Sequence, residues 1–256
     1  LKLCDEAIKT STLVHAFADN TYERSSFHLV GKGADFVKEV SSLACSALLR
    51  LKLEEVGTHP TVGVVDHISI LPVDVDFDRG EIARSIGRQI QTTVPSLNIL
   101  YYASAHPEGL SLTKIRREQT NFFQDRSTTN ALLLGAPPHF VENYNLRLSA
   151  SKQVARTLPQ RVRGDFVEAL TLPHRDGSWE VACNLLKLNL QEHVKKIALE
   201  WQEEHGVSVR GYPVGTSLAE CQAVWEMAEE KRAEHSEAVR TRFELYLDGK
   251  ERIAEA

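Results

Sequence analysis

The sequence contains no CxxC pair, no glycine-rich phosphate loop, no Ser-His-Asp arrangement and no long apolar run. Each absence removes a class of protein. The four cysteines, Cys4, Cys45, Cys183 and Cys221, lie far apart, which excludes a disulfide framework and a thiol-rich metal site. Reduced, buried thiols in a soluble protein of a reducing compartment (cytoplasm or organelle) are expected instead. No stretch approaches the roughly 20 apolar residues that span a bilayer. The 35 acidic residues outnumber the 30 basic ones, giving a net charge of −5. With no basic stripe interleaved with aromatics, nucleic acid is not an expected partner. The chain starts at Leu1 rather than Met, so a signal or transit peptide cannot be read from it.

What is present is ordinary globular composition, 42% apolar and 25% charged over 256 residues. That length holds one large domain or two modest ones. Residues 1–9 place Leu1, Cys4 or Ala7, and Ile8 on one helical face. Strand-like segments follow at 11–17 and 24–30, separated by an Asp19-Asn20 turn. A helix is predicted over 34–53 from Phe36, Val37, Val40, Leu43, Ala44, Ala47, Leu48 and Leu51 at three- and four-residue spacing. Asp76 or Asp78 can cap a helix carrying Ile82, Ile86 and Ile90, and Ser111 another that extends to Phe123. Between them lies a short strand, 98–102. Polar residues 124–130 read as the linker.

The second half reads β-α-β-β-α-β: strands at 139–148, 166–172, 179–186 and 207–211, with helices from Ser149 or Ser151 to about Val162 and over 190–205. Gly206 is the stop of the second helix, and Arg175-Asp176-Gly177 a hairpin turn. This is the split ferredoxin-like order. The first half repeats it as α-β-β-α-β, lacking an opening strand. Because that strand lies mid-sheet in this topology, its absence predicts unpaired strand edges, to be filled by a strand before Leu1 or from a partner chain. The expected class is α+β, two ferredoxin-like subdomains with a helical C-terminal extension. The expected division is residues 1–126, 135–217 and a charged helical tail, 218–256. That tail reads either as solvated helix or as a docking element for a protein partner.

The stretch Gly57–Val73, GTHPTVGVVDHISILPV, reads as a buried strand after a Gly-Thr-His-Pro turn. Its polar members are His59, Asp66 and His67. A buried carboxylate needs either a structural hydrogen-bonding partner or a ligand, and both readings stand for Asp66. His67 alternates to the opposite strand face. The three do not make a metal set, because the histidines are far apart along an extended chain, and no metal site is expected anywhere. Arg116 and Arg117 read as a solvated helix face, and His174 as an exposed hairpin residue.

His59, Pro60, Gly63, Asp66 and Pro72 of this stretch resemble the signature segment of the formiminotransferase domain family, and Val-Val-Asp-His is closest to its plant and algal members. Arg24, Ile99-Leu100-Tyr101-Tyr102, Ile115-Arg116-Arg117, Tyr144-Asn145 and the Asn184-Leu185-Leu186 strand end are similar to further family segments, so the resemblance runs over about residues 1–217. It implies two ferredoxin-like subdomains with a folate groove between them. The implied activity is transfer of a formimino group from N-formimino-L-glutamate to tetrahydrofolate, the folate acting as a substrate, in one-carbon metabolism. On the resemblance, His59 is the catalytic acid/base, and imidazole titrates close enough to neutrality to give and take the protons that the transfer moves. Arg24 and Arg116 would hold carboxylates of the glutamate derivative or the folate tail. Asp66 joins them in the expected substrate-binding set, as do Asn145 and Asn184, which would read pterin edges. The sequence departs from the pattern at Glu23, where the animal enzymes have Asn, and in a shorter connector before Gly135. The competing expectation is a catalytically silent member serving as a structural subunit of a larger assembly.

Overall fold

A computed structural model describes residues 9–52, 61–73, 77–118, 130–174 and 176–247. The segments predicted as a helix over 1–9, as a linker over 124–130 and as the His59 turn lie wholly or mostly outside these residues.

Strands β1 (Thr12–Asp19) and β2 (Arg24–Val30) form an antiparallel hairpin. Helix α1 (Gly33–Arg50) follows, then β3 (His67–Ser69), α2 (Arg79–Thr93), β4 (Asn98–Ala103), α3 (Leu112–Glu118) and β5 (Ala131–Ala136). Asp78, one of the two caps that the sequence offered, accepts the Glu81 N–H at 2.9 Å at the start of α2. The three strands β3, β5 and β4 make a parallel sheet with β5 in the middle.

For the first half the sequence predicts the split pattern without its mid-sheet opening strand, which leaves strand edges unpaired. The hairpin and the parallel sheet are separate sheets among the described residues. The expected long strand within Gly57–Val73 is only three residues, because residues 61–66 bend: Thr61 donates its hydroxyl to Gly63 O, and the Asp66 carboxylate accepts the Val62 N–H at 3.0 Å. β5 was not expected at all. Its six residues are all buried, since Leu132 and Leu134 pack under α1 and α2 while Ala131 and Leu133 meet Val62, Tyr102 and Ile115 on the other side. A strand covered on both faces carries no alternation to read. It also places residues 131–136 with the first half, so the second unit starts after Ala136.

The second unit runs β6 (Glu142–Leu148), α4 (Lys152–Ala155), α5 (Leu158–Val162), β7 (Val167–Pro173), β8 (Trp179–Leu185), α6 (Gln191–His205) and β9 (Val209–Val214). Its antiparallel sheet has the order β7-β8-β6-β9, the order that the split β-α-β-β-α-β pattern requires. Tyr144, Leu146, Leu148, Val181, Cys183 and Leu185 point to one face, where Val194, Ala198 and Trp201 of α6 cover them. Gly206 ends α6 in a left-handed conformation, φ 63°.

Two last helices, α7 (Leu218–Glu226) and α8 (Glu229–Leu247), close the chain. They are not a free tail. α8 lies along β1, where Phe243 is buried with Leu13 and Ala16, and Ser236 accepts the Leu13 N–H at 3.0 Å. Phe243 also meets Phe27 edge-on. Among the described residues no further strand pairs with the hairpin, and α8 covers the face that carries Leu13, Ala16 and Phe27. Of the apolar residues of the tail, Phe243 is buried on the hairpin and Trp225 and Met227 pack against other parts of the chain.

Candidate functional site

The site lies where β2, the loop before β3, helix α3 and the polar face of the second sheet meet. Asp66 sits at its centre, with its side chain 12% exposed. One oxygen holds the Val62 N–H; the other accepts from Arg116 at 3.0 Å, and the Arg24 guanidinium stands 3.9 Å away. Burial pushes the Asp66 carboxyl up, but Arg116 and then Arg24 outweigh it and hold the group below the ordinary carboxylate range. Arg24, 38% exposed, carries its guanidinium to the rim, a group whose geometry matches a carboxylate arriving from solvent.

Arg116 reaches Asp66 because α3 turns it inward, one turn after Thr113; its side chain is 14% exposed. This corrects the solvated-face expectation for Arg116, whereas Arg117 is exposed. His67 meets the Tyr102 hydroxyl at 2.6 Å, and Tyr102 donates to Ser69 at 2.9 Å. Burial, reinforced by Arg116, pushes the His67 imidazole down to about 3, so it is a neutral structural group at pH 7.

Thr113 links α3 to the second sheet by donating its hydroxyl to Glu168 on β7. Across that sheet, Asn184 donates to Glu168 at 3.2 Å and accepts from Asn143 at 2.7 Å. Asn145 donates to Glu180 at 2.7 Å. Glu180 is 1% exposed and is also held by Arg147 and the Tyr212 hydroxyl. The hairpin tip lies over this end: Tyr22 is 7% exposed, and its hydroxyl is raised by burial first and Glu180 second.

Of the residues expected from the sequence, Arg24, Asp66 and Arg116 come together directly. Asn184 joins them through Glu168 and Thr113, and Asn145 lies at the Glu180 end of the same face. His59 lies outside the described residues. Glu168 and Glu180 were missed. The signal was available, since both fall on the non-core positions of alternating strands, and a carboxylate there needs partners of the kind the asparagines supply.

Among the described residues no group of three or more His, Cys, Asp or Glu side chains is placed to hold a metal ion. Cys45, Cys183 and Cys221 are free thiols, all buried. No described helix is long and apolar enough to cross a membrane.

The Formiminotransferase cyclodeaminase-like protein of Arabidopsis thaliana is 27% identical over 228 residues, which cover 73% of this chain and 76% of that protein. The formiminotransferase domain, N-terminal subdomain, matches residues 3–143, a span that takes in the hairpin, the parallel sheet, Arg24, Asp66 and Arg116. More than half of the sequence thus answers to one family, and the chain belongs to the formiminotransferase domain family.

Proposed function

We propose that this chain binds a reduced folate and transfers a formimino group from N-formimino-L-glutamate to tetrahydrofolate. The observation that carries the reading is the convergence of Arg24 and Arg116 on Asp66 beside a polar sheet face. Residues 1–136, with β5 as the last strand, and 137–217 would act as the two subdomains, and the groove between them would hold both substrates. Arg24 takes a substrate carboxylate at the rim. Asp66 and Arg116 keep that guanidinium oriented, Arg116 from a position too enclosed to be the first contact.

Asn184 is engaged at both ends by Asn143 and Glu168, so a pterin edge would meet it together with those neighbours. The amide oxygen of Asn145 accepts no hydrogen bond among the described residues and is left for a ring N–H of the ligand. His59 is assigned the acid/base role, taking the proton from the attacking ring nitrogen and delivering one to the departing amine. The reading as a structural assembly subunit rested in part on the charged tail, and α8 of that tail packs on its own hairpin.

Calorimetric titration of a reduced folate into the protein tests the proposal. Wild type should bind; His59→Ala should keep binding and lose transfer. Arg24→Ala should raise the KM for the glutamate derivative by about tenfold, the worth of roughly 1.4 kcal/mol expected for a charge-assisted hydrogen bond. No binding at high micromolar folate would remove the enzyme reading.

A further inference from the structure

His174 was expected to be a solvent-exposed hairpin residue, and the structure places it instead between the two halves of the molecule. Its Nε2 lies 3.1 Å from the Thr21 hydroxyl, at the tip of the β1–β2 hairpin. Its Nδ1 lies 3.0 Å from Asp176 Oδ1, and the side chain is 14% exposed. The Tyr22 ring meets the imidazole edge-on, with centroids 6.2 Å apart at 89°. Hydroxyl, imidazole and carboxylate in that order resemble a nucleophile relay, but the surroundings do not serve one. The N–H groups of Thr21 and Tyr22, the nearest backbone donors for an oxyanion, both donate to Asp19 Oδ1, at 2.8 and 3.1 Å.

The contact has a mechanical reading. A lone two-stranded hairpin is marginally stable and needs outside support. At its start, Glu39 collects the N–H groups of Lys9, Thr10 and Ser11. Along β1, α8 covers the apolar face. At the tip, His174 meets Thr21 and Tyr22. The hairpin that carries the imidazole is itself fixed, since the His174 backbone N–H donates to Ser178 O at 2.9 Å. Asp176 is fixed in turn by the Ser178 N–H at 2.9 Å and faced by Arg147 at 3.5 Å. Three residues beyond Thr21 is Arg24, reached through Glu23 in a left-handed conformation, φ 55°.

We propose that His174 is a positioning residue: by clamping Thr21 and Tyr22 to the second unit it holds the hairpin tip in place, and thereby Arg24 at the rim of the groove. This rests on the groove's being the substrate site, but the clamp itself can be tested apart from that reading. In His174→Ala, and in the near-isosteric Thr21→Val, amide exchange at Tyr22–Arg24 should speed up about five- to tenfold, the loss of one net hydrogen bond. The KM for N-formimino-L-glutamate should rise by a similar factor while kcat changes less than about twofold. His174→Gln, whose amide can still reach the Thr21 hydroxyl, should restore most of both. Unchanged exchange at the tip in both variants overturns the clamp. Faster exchange with an unchanged KM overturns the positioning role. If wild type binds no reduced folate, the groove reading fails, and the exchange measurement still decides the clamp.

Discussion

The second unit closes on itself and the first half does not. β6 to β9 form one continuous sheet whose apolar face is covered by α4–α6, elements that all lie between Glu142 and Val214 in sequence. The first half divides its strands between a hairpin and a parallel sheet. Its hairpin core is completed by Phe243, from the far end of the chain. A unit that carries its own cover is organised by near contacts. One that borrows its cover depends on distant residues, and here the borrowed part also carries Arg24. The site is therefore built where the fold is least self-sufficient, with a rigid polar sheet on one side and an externally supported hairpin on the other.

The contrast can be broken most directly at Phe243. Phe243→Ala should cost about 3 kcal/mol, as large-to-small changes in a packed core do, and the loss should fall on the hairpin. Hydrogen exchange should show β1 and β2 opening while the amides around Trp201 stay protected. Equal loss of protection in both regions would mean that the halves unfold as one and that the distinction is only topological.

Acid should separate the halves next. His28 and His67, both in the first half, are held by burial at about 4 and about 3. An unfolded imidazole takes up its proton near 6.5, so the unfolded chain binds more protons below that pH. Stability from these groups is full above about pH 6.5 and falls as the pH drops towards the folded values. Each should cost about 2 kcal/mol between pH 7 and pH 5. Denaturant melts followed by exchange at the two pH values should show the first half weakening, and His67→Gln should flatten its share of the slope.

The smallest effect expected is at the hairpin tip. Glu23 adopts a left-handed backbone, φ 55°, which Asn tolerates better than Glu. Glu23→Asn should raise stability by about 0.5–1 kcal/mol, visible as a rise of a few degrees in Tm. A fall would show that the Glu23 side chain contributes more than its backbone strain costs.

How far each half was legible follows from the same contrast. In β6 and β8 every second residue is apolar and buried, so Tyr144, Leu146, Val181 and Cys183 announced both the strands and their inner face. In β5 both faces are covered, the alternation vanishes and the strand went unread. The stretch 61–73 was apolar enough to suggest a long strand. Yet Val62 is buried beside Tyr102 and Ile115, and the chain bends between it and β3 because Asp66 captures its N–H. At the site, Arg24 and Asp66 could be picked out through local segments. Arg116 looked like a surface residue, because nothing in its own helix shows that a carboxylate 50 positions earlier waits beneath it.

The sequence by itself determined the α+β class, the caps and stops of the helices, the alternating strands of the second unit and the family segments. These depend on neighbours a few residues apart, whose side chains meet through backbone geometry alone. Tertiary structure decided the parallel pairing of β3, β5 and β4, the folding back of α8 onto the hairpin, the burial of Arg116 and the meeting of Thr21 with His174. Each of those joins residues between 33 and more than 220 positions apart, where contact depends on which surfaces still need covering once the local elements have formed.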